Sequence, residues 1–111
     1  MKKILVINND VDTMSLLQNW LQKKNYTVKF TGNPSEVPKL IKKFEPKLLI
    51  IDILQKDVIT QIRNDERFND VPVILMTGYS YRQKADLPVD DFIEKPFNLS
   101  LFEKKIEKLI L

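Results

Sequence analysis

The sequence contains neither cysteine nor histidine. Those absences exclude disulfides, thiolate nucleophiles, Cys/His zinc sites and every histidine-based general base or triad, so any chemistry must come from carboxylates, amines, hydroxyls or amides. Long apolar runs are missing too. The run Leu48–Ile51 leads straight into Asp52, and no segment approaches the ~18 residues that a membrane span needs. No Gly-x-x-x-x-Gly-Lys-Ser/Thr stretch occurs, which excludes a P-loop nucleotide site. Neither sign of charge dominates: 18 Lys+Arg against 15 Asp+Glu leave a formal +3. The lysines are scattered from Lys2 to Lys108, which describes a solvated surface rather than a nucleic-acid footprint. Met1-Lys2-Lys3 is followed by only a short apolar run with no small-residue cleavage site, so no export signal is expected and the cytoplasm is the expected location. At 111 residues the chain is expected to be one domain, residues 1–111, with no output domain of its own.

What is present is a regular alternation. Ile4–Ile7 is a continuous β-branched and leucine run that stops at Asn8-Asn9-Asp10, as expected of a strand buried on both faces of a parallel sheet. Val11, Met14, Leu17, Leu21 and Trp20 recur at helical spacing, predicting an amphipathic helix to about Lys24. Tyr26–Thr31 suits a shorter, more exposed strand. Val37, Leu40, Ile41 and Phe44 mark a second helix, which Pro38 requires to start near Ser35, since proline is tolerated only in a first turn. Leu48–Ile51 is a third strand with Asp52 at its carboxyl end. Val58, Ile59, Ile62 and Phe68 predict a short helix, and Val73–Met76 a fourth strand ahead of Thr77-Gly78. One or two helical turns are expected around Tyr81–Ala85. Phe92-Ile93 is a short fifth strand, and Asn98 can cap a last helix carrying Leu99, Phe102, Ile106 and Leu109 or Ile110. Five alternations of strand and helix argue for an α/β sandwich, a mostly parallel sheet with right-handed crossovers and helices on both faces.

In such folds ligands bind at the carboxyl ends of the strands. The residues that collect there are Asn8, Asn9 and Asp10, then Asp52, Thr77 and Lys95. One carboxylate facing amides, a hydroxyl and an ammonium suits phosphoryl chemistry: the carboxylate attacks phosphorus to give an acyl phosphate, while the hydroxyl and the lysine hold the oxygens where charge gathers. Each residue alone also has a structural explanation, as a cap, a turn residue or a surface charge. A flavin site would need a hydroxyl- and glycine-rich cradle after the first strand, and Asn8 to Asp12 supplies none, so no flavin or nucleotide cofactor is expected.

Four segments, Lys2–Ile7 before the amide and acid cluster, Leu48–Asp52, Pro72–Gly78 and Asp90–Phe97, taken in order, resemble the receiver domains of two-component response regulators. The Lys95-Pro96-Phe97 element is the most specific of them. The resemblance implies a flavodoxin-like fold with strand order 2-1-3-4-5 and a phosphorelay function in which Asp52 accepts a phosphoryl group from a partner phosphohistidine, with at most self-phosphorylation and slow autodephosphorylation as activity. It further implies that Thr77 contacts the phosphoryl group, that Lys95 pairs with it, that the Lys95-Pro96 peptide is cis, and that Phe92 occupies the aromatic switch position. Its partners would be a histidine kinase or phosphotransfer protein, docking on the face of the first helix that holds Asp12, Ser15, Gln18 and Asn19, and a downstream protein target. A homodimer is left open, and neither nucleic acid nor membrane is expected to be bound directly. Lys104, Lys105 and Lys108 are expected on the solvated side of the last helix.

The family pattern breaks in three places. Receivers place two acids after the first strand to help bind Mg²⁺, and this chain has Asn8 and Asn9 there, so Mg²⁺ at Asn9, Asp10, Asp52 and Leu54 should be weakened. Asp10 can partly substitute or can cap the first helix. After Asp52 the chain reads Ile53-Leu54-Gln55-Lys56-Asp57, a shortened loop into the third helix that brings Lys56 near the acceptor. The short Thr77-to-Lys95 interval predicts a reduced fourth helix. A second reading therefore stands beside phosphoacceptance: a pseudo-receiver in which Lys95 pairs with Asp52 and the fold serves as an interaction module without phosphorylation.

Overall fold

The apolar runs become strands in a computed structural model that describes residues 2–78 and 87–110. β1 (Lys3–Ile7), β2 (Thr27–Thr31), β3 (Leu48–Asp52), β4 (Val73–Thr77) and β5 (Asp91–Glu94) form one parallel sheet in the order β2-β1-β3-β4-β5. Four helices are described: α1 (Val11–Lys23), α2 (Val37–Phe44), α3 (Asp57–Arg63) and α4 (Leu99–Leu109). The expected turns around Tyr81–Ala85, and with them the reduced fourth helix, lie outside the described residues.

Because side chains alternate along a strand, β1, β3 and β4 feed two cores. Ile4, Val6, Leu48, Ile50, Ile74 and Met76 face α1 and α4, meeting Leu17, Leu21, Phe102 and Ile106. Leu5, Ile7, Leu49, Ile51, Val73 and Leu75 face α2 and α3, meeting Val37, Ile41, Val58, Ile59 and Ile62. These strand residues are all fully buried, so the unbroken hydrophobic runs follow from burial on both faces. Phe102 anchors the first core, with the Trp20 and Phe97 rings each centred 5.3 Å from it.

Local chemistry sets the boundaries. Asn33 Oδ1 accepts from the Ser35 amide and opens a single 3₁₀ turn, Pro34–Glu36, which delivers Pro38 into the first turn of α2. α2 ends at Glu45 in the left-handed region (φ 55°), and Asn25 (φ 70°) follows α1 in the same conformation. Phe68 lies beyond α3 yet is buried against it. Val11 departs from its expected place on the apolar face of α1: it is 70 % exposed, because the first helical residue projects past the sheet, and Thr13 is buried in that turn instead.

One guanidinium fastens the start of β5. Arg63, at the end of α3, donates through Nε to the Pro88 carbonyl (2.8 Å), through Nη1 to the Asn69 and Val71 carbonyls (3.0 and 2.8 Å), and through Nη2 to Asp90 Oδ2 (2.9 Å). The same Asp90 oxygen accepts from the Val73 amide (2.8 Å). Lys105 departs from its expected solvated position, because its ammonium pairs with Asp91 (2.8 Å) at the start of β5.

Candidate functional site

The parallel sheet brings the carboxyl ends of β1, β3, β4 and β5 to one edge. β3 and β4 each run one residue further than the apolar pattern alone marks, so Asp52 and Thr77 are the last residues of their strands. Lys95 follows β5, its amide bonded to the Thr77 carbonyl (2.8 Å), and the Lys95-Pro96 peptide is cis, as expected. A cavity of ≈ 420 Å³ opens there, lined by Asn9, Asp10, Asp52, Ile53, Leu54, Gln55, Gly78 and Lys95. A larger cavity of ≈ 650 Å³ beside it shares Leu54 and Gln55 but is lined by neither Asp52 nor Lys95.

Asp52 is buried, and its carboxylate is held by three donors. Oδ2 accepts from Lys95 Nζ (3.0 Å) and from Asn8 Nδ2 (3.0 Å), and Oδ1 accepts from the Leu54 amide (2.9 Å). A buried carboxylate is tolerable only when paired and hydrogen-bonded, and this one is both. The 3₁₀ turn Ile53–Gln55, which follows β3 directly, is what points the Leu54 amide at Asp52. That turn also confirms the shortened loop into α3. It leaves Lys56 exposed at its end, so the ammonium on Asp52 is that of Lys95. Thr77 is fully buried, and its Oγ1 has no hydrogen-bond partner among the described residues. An unpaired buried hydroxyl costs on the order of 1–3 kcal/mol unless something else uses it.

The residues after β1 behave differently from one another. Asn8 is buried; its Oδ1 accepts from the Asp10 amide while its Nδ2 reaches Asp52. Asn9 is exposed, and its side chain lies against Gly32, where a Cβ would overlap Asn9 Oδ1. Asp10 occupies the N-cap position of α1 but makes no side-chain bond to the helix amides. Its carboxylate accepts from the Thr13 hydroxyl, which holds the Asp10 carboxyl below its ordinary value of 3.8 against the opposing effect of desolvation. Among the described residues, no group of three or more carboxylate, histidine or cysteine side chains could hold a metal ion.

Phe92 lies in β5 beside Leu75 of β4, half-buried against the α2/α3 core. Asp12, Ser15, Gln18 and Asn19 are exposed along α1, as expected. Lys95 and Asp52 thus meet directly, and Thr77 ends the adjacent strand with its hydroxyl buried and bonded to neither, so the structure joins two of the three residues. Sequence reasoning missed the Leu54 amide as a donor, the capture of Asp10 by Thr13, and the part played by Asn8. The last carried a signal: an amide has a donor where a carboxylate has none.

Comparison with known proteins agrees with this geometry. A family model described as the response regulator receiver domain matches residues 4–107. The master transcriptional regulator RpaA of Synechocystis is 25% identical over 99% of this chain and 49% of its own length, and a probable transcriptional regulator ycf27 of Porphyridium aerugineum is 26% identical over 98% of this chain and 48% of its own. The chain spans about half the length of the curated relatives it matches. Among solved structures, the response regulator TrrA of Thermotoga maritima, in complex with magnesium and beryllium fluoride, is 30% identical, with a TM-score of 0.85 over 98% of this chain and 99% of that one. The receiver domain of a Pseudomonas aeruginosa sensor histidine kinase, with magnesium coordinated in its active-site cleft, shares the fold at a TM-score of 0.88 and 15% identity over 98% and 97% of the two chains. With strand order, strand-end residues and family match in agreement, the chain belongs to the response regulator receiver domains of two-component phosphorelay signalling.

Proposed function

We propose that this receiver accepts a phosphoryl group on Asp52 from a phosphohistidine of a kinase or phosphotransfer partner. The observation that carries the reading is a three-donor carboxylate, Asp52, bonded to the Lys95 ammonium beyond β5, with a buried Thr77 hydroxyl at the end of the adjacent strand that is unpartnered among the described residues. In the reaction an Asp52 oxygen forms a bond to phosphorus as the donor's phosphorus–nitrogen bond breaks, and the electron pair leaves with the imidazole nitrogen. Lys95 offsets charge on the incoming phosphoryl oxygens, and the Thr77 hydroxyl gains the partner it lacks among the described residues. Phe92, half-buried in β5 beside the Thr77 strand, is the candidate switch residue.

Receiver domains bind magnesium in the active site and interact with histidine kinases and downstream effectors. In this chain the donor set is a poor fit for that ion. Mg²⁺ loses water reluctantly and is held through carboxylates in near-octahedral geometry. Here Asn8 turns an N–H toward Asp52, the Asn9 side chain lies on Gly32, Asp10 is engaged by Thr13, and Asp52 already has an ammonium.

We place the protein in the cytoplasm, with its receiver domain signalling through a downstream protein target. Among the described residues, no helix is long and apolar enough to cross a membrane. The test is intact-mass measurement after incubation with acetyl phosphate or phosphoramidate. A single phosphoryl adduct that disappears in Asp52→Asn is expected. No adduct under any condition would return the chain to the phosphorylation-independent interaction module.

A further inference from the structure

We infer that this receiver takes its phosphoryl group without a divalent cation, and that Asn8 is the residue that makes this workable by donating a hydrogen bond to the acceptor carboxylate. The inference rests on the reading of Asp52 as acceptor and adds how that site is neutralised.

Asn8 is 1 % exposed, and both ends of its amide are committed. Its oxygen accepts from the Asp10 amide and its nitrogen donates to Asp52 Oδ2 at 3.0 Å. Turning the amide over would set oxygen against oxygen at Asp52 and N–H against N–H at Asp10, so the neighbours fix its direction. Asn8 therefore cannot offer its oxygen to a cation without breaking both bonds. A carboxylate in the same place would keep the bond from Asp10 but set a second negative charge against Asp52, an arrangement that needs a cation between them. The amide removes the need along with the ligand.

The two Asp52 oxygens are consequently unequal. Among the described residues, Oδ2 accepts from both Asn8 and Lys95, which uses both of its lone pairs, whereas Oδ1 accepts only from the Leu54 amide and keeps one for bond formation. Oδ1 is the oxygen assigned to attack phosphorus. Its bond to phosphorus forms as the donor's phosphorus–nitrogen bond breaks, and the departing nitrogen keeps the electron pair and takes up a proton. Of the donors at this edge, the Lys95 ammonium lines the cavity and keeps protons beyond the one on Asp52, and the Thr77 hydroxyl, at the end of the adjacent strand, is buried and unpartnered among the described residues; the Asp10 carboxylate, which also lines the cavity, is engaged by Thr13. Asn8 and Lys95 thus hold Asp52 with N–H donors in place of a metal.

The experiment uses the whole chain with phosphoramidate, followed by intact mass, in excess chelator and in millimolar magnesium chloride at matched ionic strength. Adduct formation is expected to agree within about twofold between the two conditions. Asn8→Ala, which deletes the donor, should slow it about tenfold or more in both, the usual loss for one hydrogen bond to a charged group. Asn8→Asp combined with Asn9→Asp should make the reaction magnesium-dependent. Amide spectra supply a readout free of activity: magnesium titrated into the wild-type protein should give no saturating shift at Asn8, Asn9, Asp10 or Leu54, and should give one in the double-acid variant. An adduct that forms only with magnesium, or a saturating shift in the wild type, overturns the inference and leaves Asp52 as acceptor. No adduct in either condition removes both. The wild-type comparison decides the matter even where a variant fails to fold.

Discussion

At the ends of β3, β4 and β5 stand Asp52, Thr77 and Lys95, the residues that the family pattern leads one to expect, with Lys95 bonded to Asp52. At the end of β1 it holds Asn8, Asn9 and Asp10, where that pattern calls for acids. The first half keeps its chemistry and supplies the groups that would touch a phosphoryl group. The second half has changed what it offers: Asn8 gives a proton to Asp52, Asn9 folds over Gly32, and Asp10 is tied to Thr13. An Asp-to-Asn change is small in volume yet inverts hydrogen-bonding polarity at one of its two terminal atoms. Loss of a ligand and gain of a donor are therefore the same event.

Substitutions that act on one half at a time can break or sharpen this contrast. The largest effect is expected from Lys95→Ala, which leaves Asp52 without its ammonium and removes a donor from the reacting oxygens. Adduct formation by mass should fall about a hundredfold, the loss typical of a preorganised donor. Thr77→Val should slow the adduct about tenfold while leaving urea unfolding unchanged or shifting it toward higher stability, because it deletes a buried hydroxyl with no partner among the described residues. A loss of both would mean that the hydroxyl is bonded in the resting protein.

On the β1 side the expected changes are smaller. Thr13→Val should let the Asp10 carboxyl rise toward 3.8, read from its carboxyl carbon shift. The sign for stability follows: a carboxyl held low in the folded state stabilises above its unfolded value and loses that contribution as pH falls through the folded one. The stability gap between wild type and Thr13→Val should therefore be wider at neutral pH than in acid. Gly32→Ala should displace the Asn9 side chain, since the overlapping atom is the end of a movable side chain. Stability should change by about 1 kcal/mol or less, with adduct yield unaltered. A large drop in yield would show that Asn9 serves the site after all.

Much of this was legible in the residues themselves. Runs such as Ile4–Ile7 and Leu48–Ile51 announce strands covered on both faces, and their spacing announces the crossovers, because burial in a parallel sheet leaves no room for polar alternation. Asp52, Thr77 and Lys95 were legible because strand ends in this architecture share one edge. Asn8 was not, since a residue name does not say which end of an amide faces its neighbour. Lys105 looked like solvated helix surface because its partner Asp91 is 14 residues away on β5, outside any helical spacing. Val11 fits the apolar period of α1, but a helix's first residue can overhang the sheet that the period is meant to face.

The four-way grip of Arg63 has a consequence for how the site tolerates change. It joins the turn after α3 to Pro88 and Asp90, so the starting point of β5 is anchored at the amino edge of the sheet, opposite Lys95. From that anchor, pairing with β4 carries the register forward to the bond between the Lys95 amide and Thr77. The placement of the lysine is thus dictated by residues 63–73 and by strand pairing. A change at Arg63 would therefore be felt at the far edge of the sheet, as a shift in where β5 delivers the ammonium to Asp52.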